Sequence, residues 1–585
     1  MSIPPRSHIA LCLALLLAWS AGILGRGYWT PDEPREADIA WRMSWQPDKA
    51  VPLLAGEAFC EKPPLTYWVA GASMKLFGKS AWAARLPNLL YGLLTVLGVA
   101  LLAHRAAGPL AGWTAATAIG TLLLPYQVGI WLATDAPLLA AVSVALLGAY
   151  RGFYADSSRD RLRGYTLMHA ALAIGFLCKS AAAWMIPVLV LATLTVWERR
   201  WRELLRWELY AGLALQAAVI LAWVWFVYTG PDGPGRLKVF FWNNLAGRFA
   251  RVDAAQDLQY AAGHRNSPGK YFLELPAYLW PWMLLVAAAV RGAWRNRHAP
   301  ADEMRLVRFA TACIVPALIL LSLAATARNI YFAPAMPGFA LLIGWWMAET
   351  VRKHDAWDLR AVRVTAVLLL LASVAFAVAL AVIGLDASRN GASGAWLAAF
   401  GTLGGLGVIG AAALAARAES ASRRGRMQRG PYLLALAYCV LLALPGAALD
   451  RAVDAWQDLP AIGRAVRADS AGERLILMAP DETTRAFIDM YARTDAEDVK
   501  GPIDDRSVLR LKELVAADPR AFVVTQWPGR ESTPTARHVA RTFGIHLDSE
   551  LEPNTPPWIE AAGLRVVHSY ALPNGRRYAL LRRTG

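Results

Sequence analysis

A chain of 585 residues with 56% hydrophobic residues, 25 Trp and a mean hydropathy of +0.33 carries more apolar surface than a soluble core can hide, which excludes an ordinary globular protein. The formal net charge of +16 would suit a nucleic-acid binder if Lys and Arg gathered on one polar face. They fall instead in short stretches between apolar runs, so nucleic acid is excluded as a partner and membrane lipids are the chain's main surroundings.

Apolar runs of roughly 17 to 24 residues recur along the first three quarters of the chain, and about thirteen of them are long enough to span a bilayer. The first, Arg6 to Leu24, resembles a signal peptide, but no small-x-small cleavage site separates it from Tyr28, so it is read as a retained first span. With the N-terminus cytoplasmic, the Arg-rich loops 151–163, 199–206, 291–308, 352–363 and 417–429 share one side, as the positive-inside rule requires. The opposite side then holds a long loop at 25–85, the short 133–137, Lys179-Ser180, a second long loop at 229–275, 327–331 and 386–394. Gly401 to Gly410 lies within an apolar span, which predicts close helix packing rather than a phosphate loop. The cysteines Cys12, Cys60, Cys178, Cys313 and Cys439 are scattered, mostly in apolar runs, and predict neither a disulfide framework nor a paired-cysteine metal site.

Hydrophobicity falls after a last span at about 431–449, and an alternating pattern follows. Strands are predicted at Arg474 to Met478, Ala521 to Thr525, Leu564 to Ala571 and Arg577 to Leu581, with helices at Thr483 to Ala492 and Ser507 to Ala516. Pro573-Asn574-Gly575 predicts a tight hairpin, because Asn-Gly tolerates the positive φ such turns need. The expected plan is therefore an α-helical polytopic membrane domain, 1–449, followed by a soluble α/β domain, 450–585, placed outside by the odd number of spans.

Chemistry-bearing residues lie almost entirely in the outer set of loops. Tyr28 to Asp38 holds Asp32, Glu33, Glu36 and Asp38 with Arg35 directly after a span, and charges at a membrane boundary are costly unless paired or used. Glu61-Lys62 then precedes two prolines that fix the backbone ahead of an aromatic, apolar run suited to the interface.

Asp32-Glu33-Pro34-Arg35-Glu36-Ala37, then Glu61-Lys62-Pro63-Pro64-Leu65-Thr66-Tyr67-Trp68, then Arg85-Leu86-Pro87 resembles the bacterial protein O-mannosyltransferase superfamily. The likeness is strongest to lipid A 4-amino-4-deoxy-L-arabinose transferases, integral membrane glycosyltransferases of the C-type (GT-C) fold. Thr134-Asp135-Ala136-Pro137, Gly175 to Ser180, Trp242 to Phe249, Leu275-Pro276 with Pro281-Trp282, and Arg328 to Pro334 follow in matching order, so the resemblance covers roughly residues 20 to 345. Three departures stand out. Lys179-Ser180 replaces a common Lys-Gly, and Arg328-Asn329 a lysine with a small residue. Asn243 stands where aminoarabinose transferases commonly have a histidine, so a divalent metal held by Glu61 would lack that ligand. His264, a lone loop histidine, is read as solvent-exposed.

The resemblance implies transfer of a sugar from a polyprenyl-phosphate donor, with inversion, to lipid A or another periplasmic acceptor at the outer face of a bacterial inner membrane. Negative charge grows on the leaving phosphate, so cations there favour the transition state. Arg35, Lys62, Lys179, Arg248 and Arg328 are the candidates, with Glu61 beside them and Tyr331 as a hydroxyl donor; snorkelling from helix ends is the plain alternative for each cation. Asp32, and after it Asp135, are the candidate catalytic carboxylates. A phosphate acceptor is already ionised near neutral pH and needs no base, leaving Asp32 to bind or orient the sugar, whereas a protein or glycan hydroxyl would need Asp32 as base. Sugar and acceptor stay open at this point, as does a transporter, although transporters keep their charges near the midplane on broken helices.

Overall fold

In hydrocarbon every backbone N–H and C=O must be satisfied within its own segment, so apolar stretches of this length fold as helices. The computed structural model describes residues 5–244, 269–324, 328–389, 393–454, 457–492, 496–527, 556–572 and 576–584. Among them, eight helices are long and apolar enough to cross a membrane: Ala81–Ala107, Asp135–Phe153, Trp207–Tyr228, Arg305–Leu323, Asn329–Thr350, Ala356–Arg389, Gly394–Arg423 and Arg429–Arg451. Lys270–Tyr278 and Met283–Arg295, bent by 109° where they meet, would make a ninth as one span.

This is fewer than the sequence predicts, for three physical reasons. His8–Leu24 and Ala182–Trp197 are apolar but short. Leu122 turns to an extended ψ of 132° and breaks the next run into Pro109–Thr121 and Leu123–Ile130. Ser158–Lys179 opens with Arg159, Asp160, Arg161 and Arg163, which lower its apolarity. The two irregular regions support one another. Leu123 N–H, left without a helical acceptor at the break, donates to Trp280 O at 2.9 Å in the bent corner, and Trp282 Nε1 donates to Thr121 Oγ1 at 2.8 Å. Within the predicted close-packed stretch, a Cβ on Gly404 would lie 2.6 Å from Leu380, and one on Gly407 2.5 Å from Pro445. Gly404 and Gly407 serve packing, whereas Gly401 and Gly405 face open space.

The first outer loop is more ordered than a loop. It contains the helices Asp32–Trp45 and Leu65–Phe77, joined by a short hairpin of β1 (Leu53–Leu54) and β2 (Glu57–Ala58). Their apolar faces form a separate core with Tyr28, Met43, Tyr67, Met74, Ala486 and Met490. The last two belong to the C-terminal region, which is thereby docked onto this loop.

That region is a five-stranded mixed sheet in the order β4-β3-β5-β7-β6, with β3 Leu475–Met478, β4 Ala496–Val499, β5 Phe522–Trp527, β6 Leu564–Ala571 and β7 Arg577–Arg583. β3 runs parallel to β4 and β5, while β7 is antiparallel to β5 and β6. Alternation divides its residues between two faces: Leu475 and Leu477 pack with Leu459, Ile462 and Phe487, and Ile476 and Met478 pack with Leu511, Leu514 and Ile559. β4 was not expected, because Ala-Glu-Asp-Val has little of the β-branched and aromatic character of a strand. The predicted turn at 573–575 lies outside the described residues.

The two parts of the bundle that carry the outer loop are fastened by Arg85, which is fully buried. Its guanidinium donates to Ile23 O at 3.0 Å, Arg26 O at 2.8 Å and Gly27 O at 2.5 Å, and its Nε lies 3.4 Å from Glu33. Arg85→Met leaves those carbonyls without donors, and should cost about 3 to 5 kcal/mol. A thermal midpoint in detergent matching the native protein's would contradict this account of how the loop is held.

Candidate active site

The acidic motif is the first turn of a helix rather than loop, so Asp32 and Glu33 sit where the helix's free N–H groups and dipole favour negative charge. Helical spacing then sorts the charges. Glu33 turns inward, where it receives Arg26 at 2.5 Å, Trp29 N at 2.7 Å and Leu132 N at 2.8 Å. Asp32, Arg35 and Glu36, at i, i+3 and i+4, share the other face.

Two ion-pair groups form there. In the first, Asp32 accepts from Arg328 Nη1 at 3.2 Å and Arg35 Nη2 at 3.3 Å, and Glu36 accepts from Lys62 Nζ at 2.6 Å and Arg35 Nη2 at 3.0 Å. In the second, Lys179 Nζ donates to Asp135 at 2.5 Å and lies 4.8 Å from the centre of the Tyr331 ring. Asp135 is the first residue of its helix and Lys179 the last of its own, so the span Asp135–Phe153 and the helix Ser158–Lys179 deliver them to the same place. Tyr331 joins the groups through the chain, its N–H donating to Arg328 O at 3.0 Å, and Tyr271 fixes the same carbonyl with its hydroxyl at 2.7 Å. Ser180, just past Lys179, has φ +53°, a conformation easier for the glycine common in the resembled family.

Thus Asp32, Arg35, Lys62 and Arg328 come together, as do Asp135, Lys179 and Tyr331. The Glu61 carboxylate lies close enough to feel Arg35, and its backbone carbonyl accepts from the Asn244 amide. Arg248 and His264 lie outside the described residues. Among the described residues no three His, Cys, Asp or Glu side chains gather as ligands to a metal, and the side chain that meets Glu61 there is the amide of Asn244, a weaker donor than histidine.

Burial pushes the Asp32 carboxyl up, but the hydrogen bond from Arg328 and the charges of Arg35, Arg328 and Lys62 outweigh it and hold the group below the ordinary carboxylate range. Glu36 is likewise held down, against its burial, by Lys62 and Arg35. Asp38 behaves oppositely. It is fully buried, and desolvation together with the facing Asp489 raises its carboxyl well above the ordinary value despite Arg42.

Sequence reasoning did not single out Glu36 as the partner of Lys62 and Arg35, nor Glu482, which reaches Arg35 at 2.5 Å from the C-terminal sheet domain. The helical spacing of Asp32, Arg35 and Glu36 was a signal for the first. Nothing near Glu482 in sequence marks it.

With this geometry in view, the chain can be set beside known proteins. Residues 61–226 match the family described as dolichyl-phosphate-mannose-protein mannosyltransferase. An undecaprenyl phosphate-α-4-amino-4-deoxy-L-arabinose arabinosyl transferase of Pseudomonas paraeruginosa is 30% identical over 358 residues, 60% of this chain and 61% of that relative. The Edwardsiella ictaluri protein of the same name is 29% identical over 363 residues, 62% of each chain. The matched part therefore spans under two thirds of these relatives. The crystal structure of ArnT from Cupriavidus metallidurans bound to undecaprenyl phosphate superposes with a TM-score of 0.68 over 98% of this chain and 97% of that one, at 19% identity, so the GT-C fold is shared nearly end to end. Residues 61–226 are thus similar to that mannosyltransferase family, and the chain shares the GT-C fold of the solved transferase. It is a multi-span membrane protein with that helical architecture and a C-terminal sheet domain.

The raised Asp38 carboxyl sets a pH dependence. The folded chain holds this proton more tightly than the unfolded chain does, so stability is lost as pH rises above the ordinary carboxylate value through the raised one. Asp38→Asn, which cannot ionise, should melt higher than the native protein at pH 8 and together with it at pH 4. Parallel melting curves across that range would refute the assignment.

Proposed function

We propose that this protein is an inverting glycosyltransferase of the periplasmic face of a bacterial inner membrane. It takes 4-amino-4-deoxy-L-arabinose from undecaprenyl phosphate and transfers it to a lipid A phosphate. The observation that carries the reading is the convergence of Arg35, Lys62, Arg328 and Lys179 with Asp32 and Asp135 at one end of the bundle, drawn from segments far apart in the chain. The Arg-rich loops on the opposite side support the periplasmic placement of that end. Residues 1–449 act as the transferase domain and 450–585 as the periplasmic domain covering the loop of the site.

In this reading an acceptor oxygen attacks the anomeric carbon, the bond from that carbon to the carrier phosphate oxygen breaks, and the electron pair leaves with the phosphate. Lys62 and Lys179 supply point charges to the departing oxygens, and the guanidinium groups of Arg35 and Arg328 bind in the bidentate manner that suits phosphate. Tyr331 lies beside Lys179, within reach of the same headgroup. Asp32, ionised and engaged by Arg328, is a weak base, which favours an acceptor that is already an anion and leaves this carboxylate to orient the sugar and support positive charge at its ring.

A second reading, a hexose moved from a polyprenyl phosphate to a hydroxyl of protein or glycan, draws on the match of residues 61–226 to the mannosyltransferase family. One assay separates them. In proteoliposomes supplied with undecaprenyl-phosphate-aminoarabinose and lipid A, the native protein should release undecaprenyl phosphate and yield modified lipid A. Asp32→Asn and Lys62→Ala should each lower the rate by about a hundredfold or more. Release from mannosyl or glucosyl carriers alone would move the assignment to the second reading, and release from none would overturn both.

A further inference from the structure

A pocket that binds phosphate gains nothing obvious from a carboxylate at its centre, yet Glu36 is only 2% exposed and holds two of the cations that would meet the phosphate. One oxygen receives both Lys62 and Arg35, and the Tyr67 hydroxyl borders the group. Arg35 has further anions in Asp32 and Glu482, and among the described residues Lys62 pairs with Glu36. A wholly structural purpose accounts poorly for this pair, because buried ion pairs are commonly matched or bettered in stability by apolar residues of similar volume.

We propose that Glu36 is a built-in counter-anion that competes with the carrier phosphate for Lys62 and Arg35 and so drives release of the spent carrier. The inference rests on the reading of those two cations as phosphate-binding groups. The donor's phosphodiester carries one negative charge, whereas the product is a phosphomonoester with about −1.5 to −2 near neutral pH. Cations alone would therefore hold the product more tightly than the donor and stall the enzyme after transfer. A fixed carboxylate nearby repels the product up to about twice as strongly as the donor, since the Coulomb energy scales with the ligand's charge. It also gives Lys62 and Arg35 a partner when the phosphate leaves, so that release does not strand unpaired cations in a buried place. Glu36 is in this sense a positioning residue: it acts on the phosphate through the cations.

The sign of the effect makes the idea testable. Full-length protein in nanodiscs would be titrated with undecaprenyl phosphate and, separately, with the sugar-loaded donor, comparing the native chain with Glu36→Gln and Glu36→Asp. The Gln variant should bind the product about tenfold more tightly and the donor only about threefold more tightly, with kcat and KM both falling and product inhibition deepening. The Asp variant keeps the charge, and should return product affinity and kcat toward native values. A residue that merely props up Lys62 would behave in reverse, so weaker or unchanged product binding by Glu36→Gln, with Glu36→Asp intermediate in the same direction, overturns the proposal. Should the Gln variant fail to fold, the Asp variant decides alone, since retreat of the carboxylate by one methylene must strengthen product binding rather than weaken it. Failure of the native protein to bind undecaprenyl phosphate at all would instead overturn the underlying phosphate-site reading.

Discussion

The Glu33 carboxylate is the fixed point of this structure. Buried between Arg26 and Arg85, and receiving backbone N–H groups from Trp29 and Leu132, it ties the end of the first helix, the outer-loop helix, the segment after Ile130 and the start of Ala81–Ala107 to a single pair of oxygens. Burial alone would raise this carboxyl, and the two arginines more than reverse that. Because a helix advances about 100° per residue, fixing Glu33 against the arginines sets Glu36, Asp32 and Arg35 at about 60°, 100° and 160° around the helix from it, on the flank that meets Lys62 and Arg328. The orientation of the site's acidic face follows from one interior ion pair.

The outward face is charge-matched before any ligand arrives. Each of Arg35, Lys62, Arg328 and Lys179 already has a carboxylate partner, and the Arg328 side chain, 46% exposed, is the least enclosed. Such an arrangement is stable when empty, which a cluster of bare cations at a membrane surface would not be. It also means that a phosphate enters by exchanging partners rather than by filling a vacancy of charge. Affinity then depends on how readily each pair opens, and the most exposed pairs open most easily.

Much of this was legible in the residues. Asp32, Arg35, Lys62, Asp135, Lys179, Arg328 and Tyr331 stand out because polar residues at span ends must be paired or used, and the structure brings them into two touching groups. Four of the strands and the close packing at Gly404 and Gly407 were equally readable, since alternation and small residues in an apolar run have direct physical meanings. What escaped was non-local. The breaks at Leu122 and near Pro281 look like continuous apolar sequence, because each is made tolerable by a hydrogen bond from the other. The loop helix Asp32–Trp45 was read as loop, since its many charges mask the apolar stripe that faces Met490. Glu482 could not be found at all: its role exists only once the sheet domain lies against Arg35.

That last contact bears on how the protein is made. Arg35 and Glu482 are 447 residues apart in sequence, and Asp32 and Arg328 are 296 apart. At ribosomal rates of about 5 to 20 residues per second, the acidic helix waits roughly 20 to 90 s after its own synthesis before its last partner emerges. During that interval its charges must remain hydrated outside the bilayer. A nascent chain stalled before the sheet domain would display an open, acid-rich helix with exposed Tyr28, Met43 and Met74 surfaces, a shape that membrane quality control distinguishes from the finished protein. Completion of the site thus doubles as a report that the whole chain has been translated and docked.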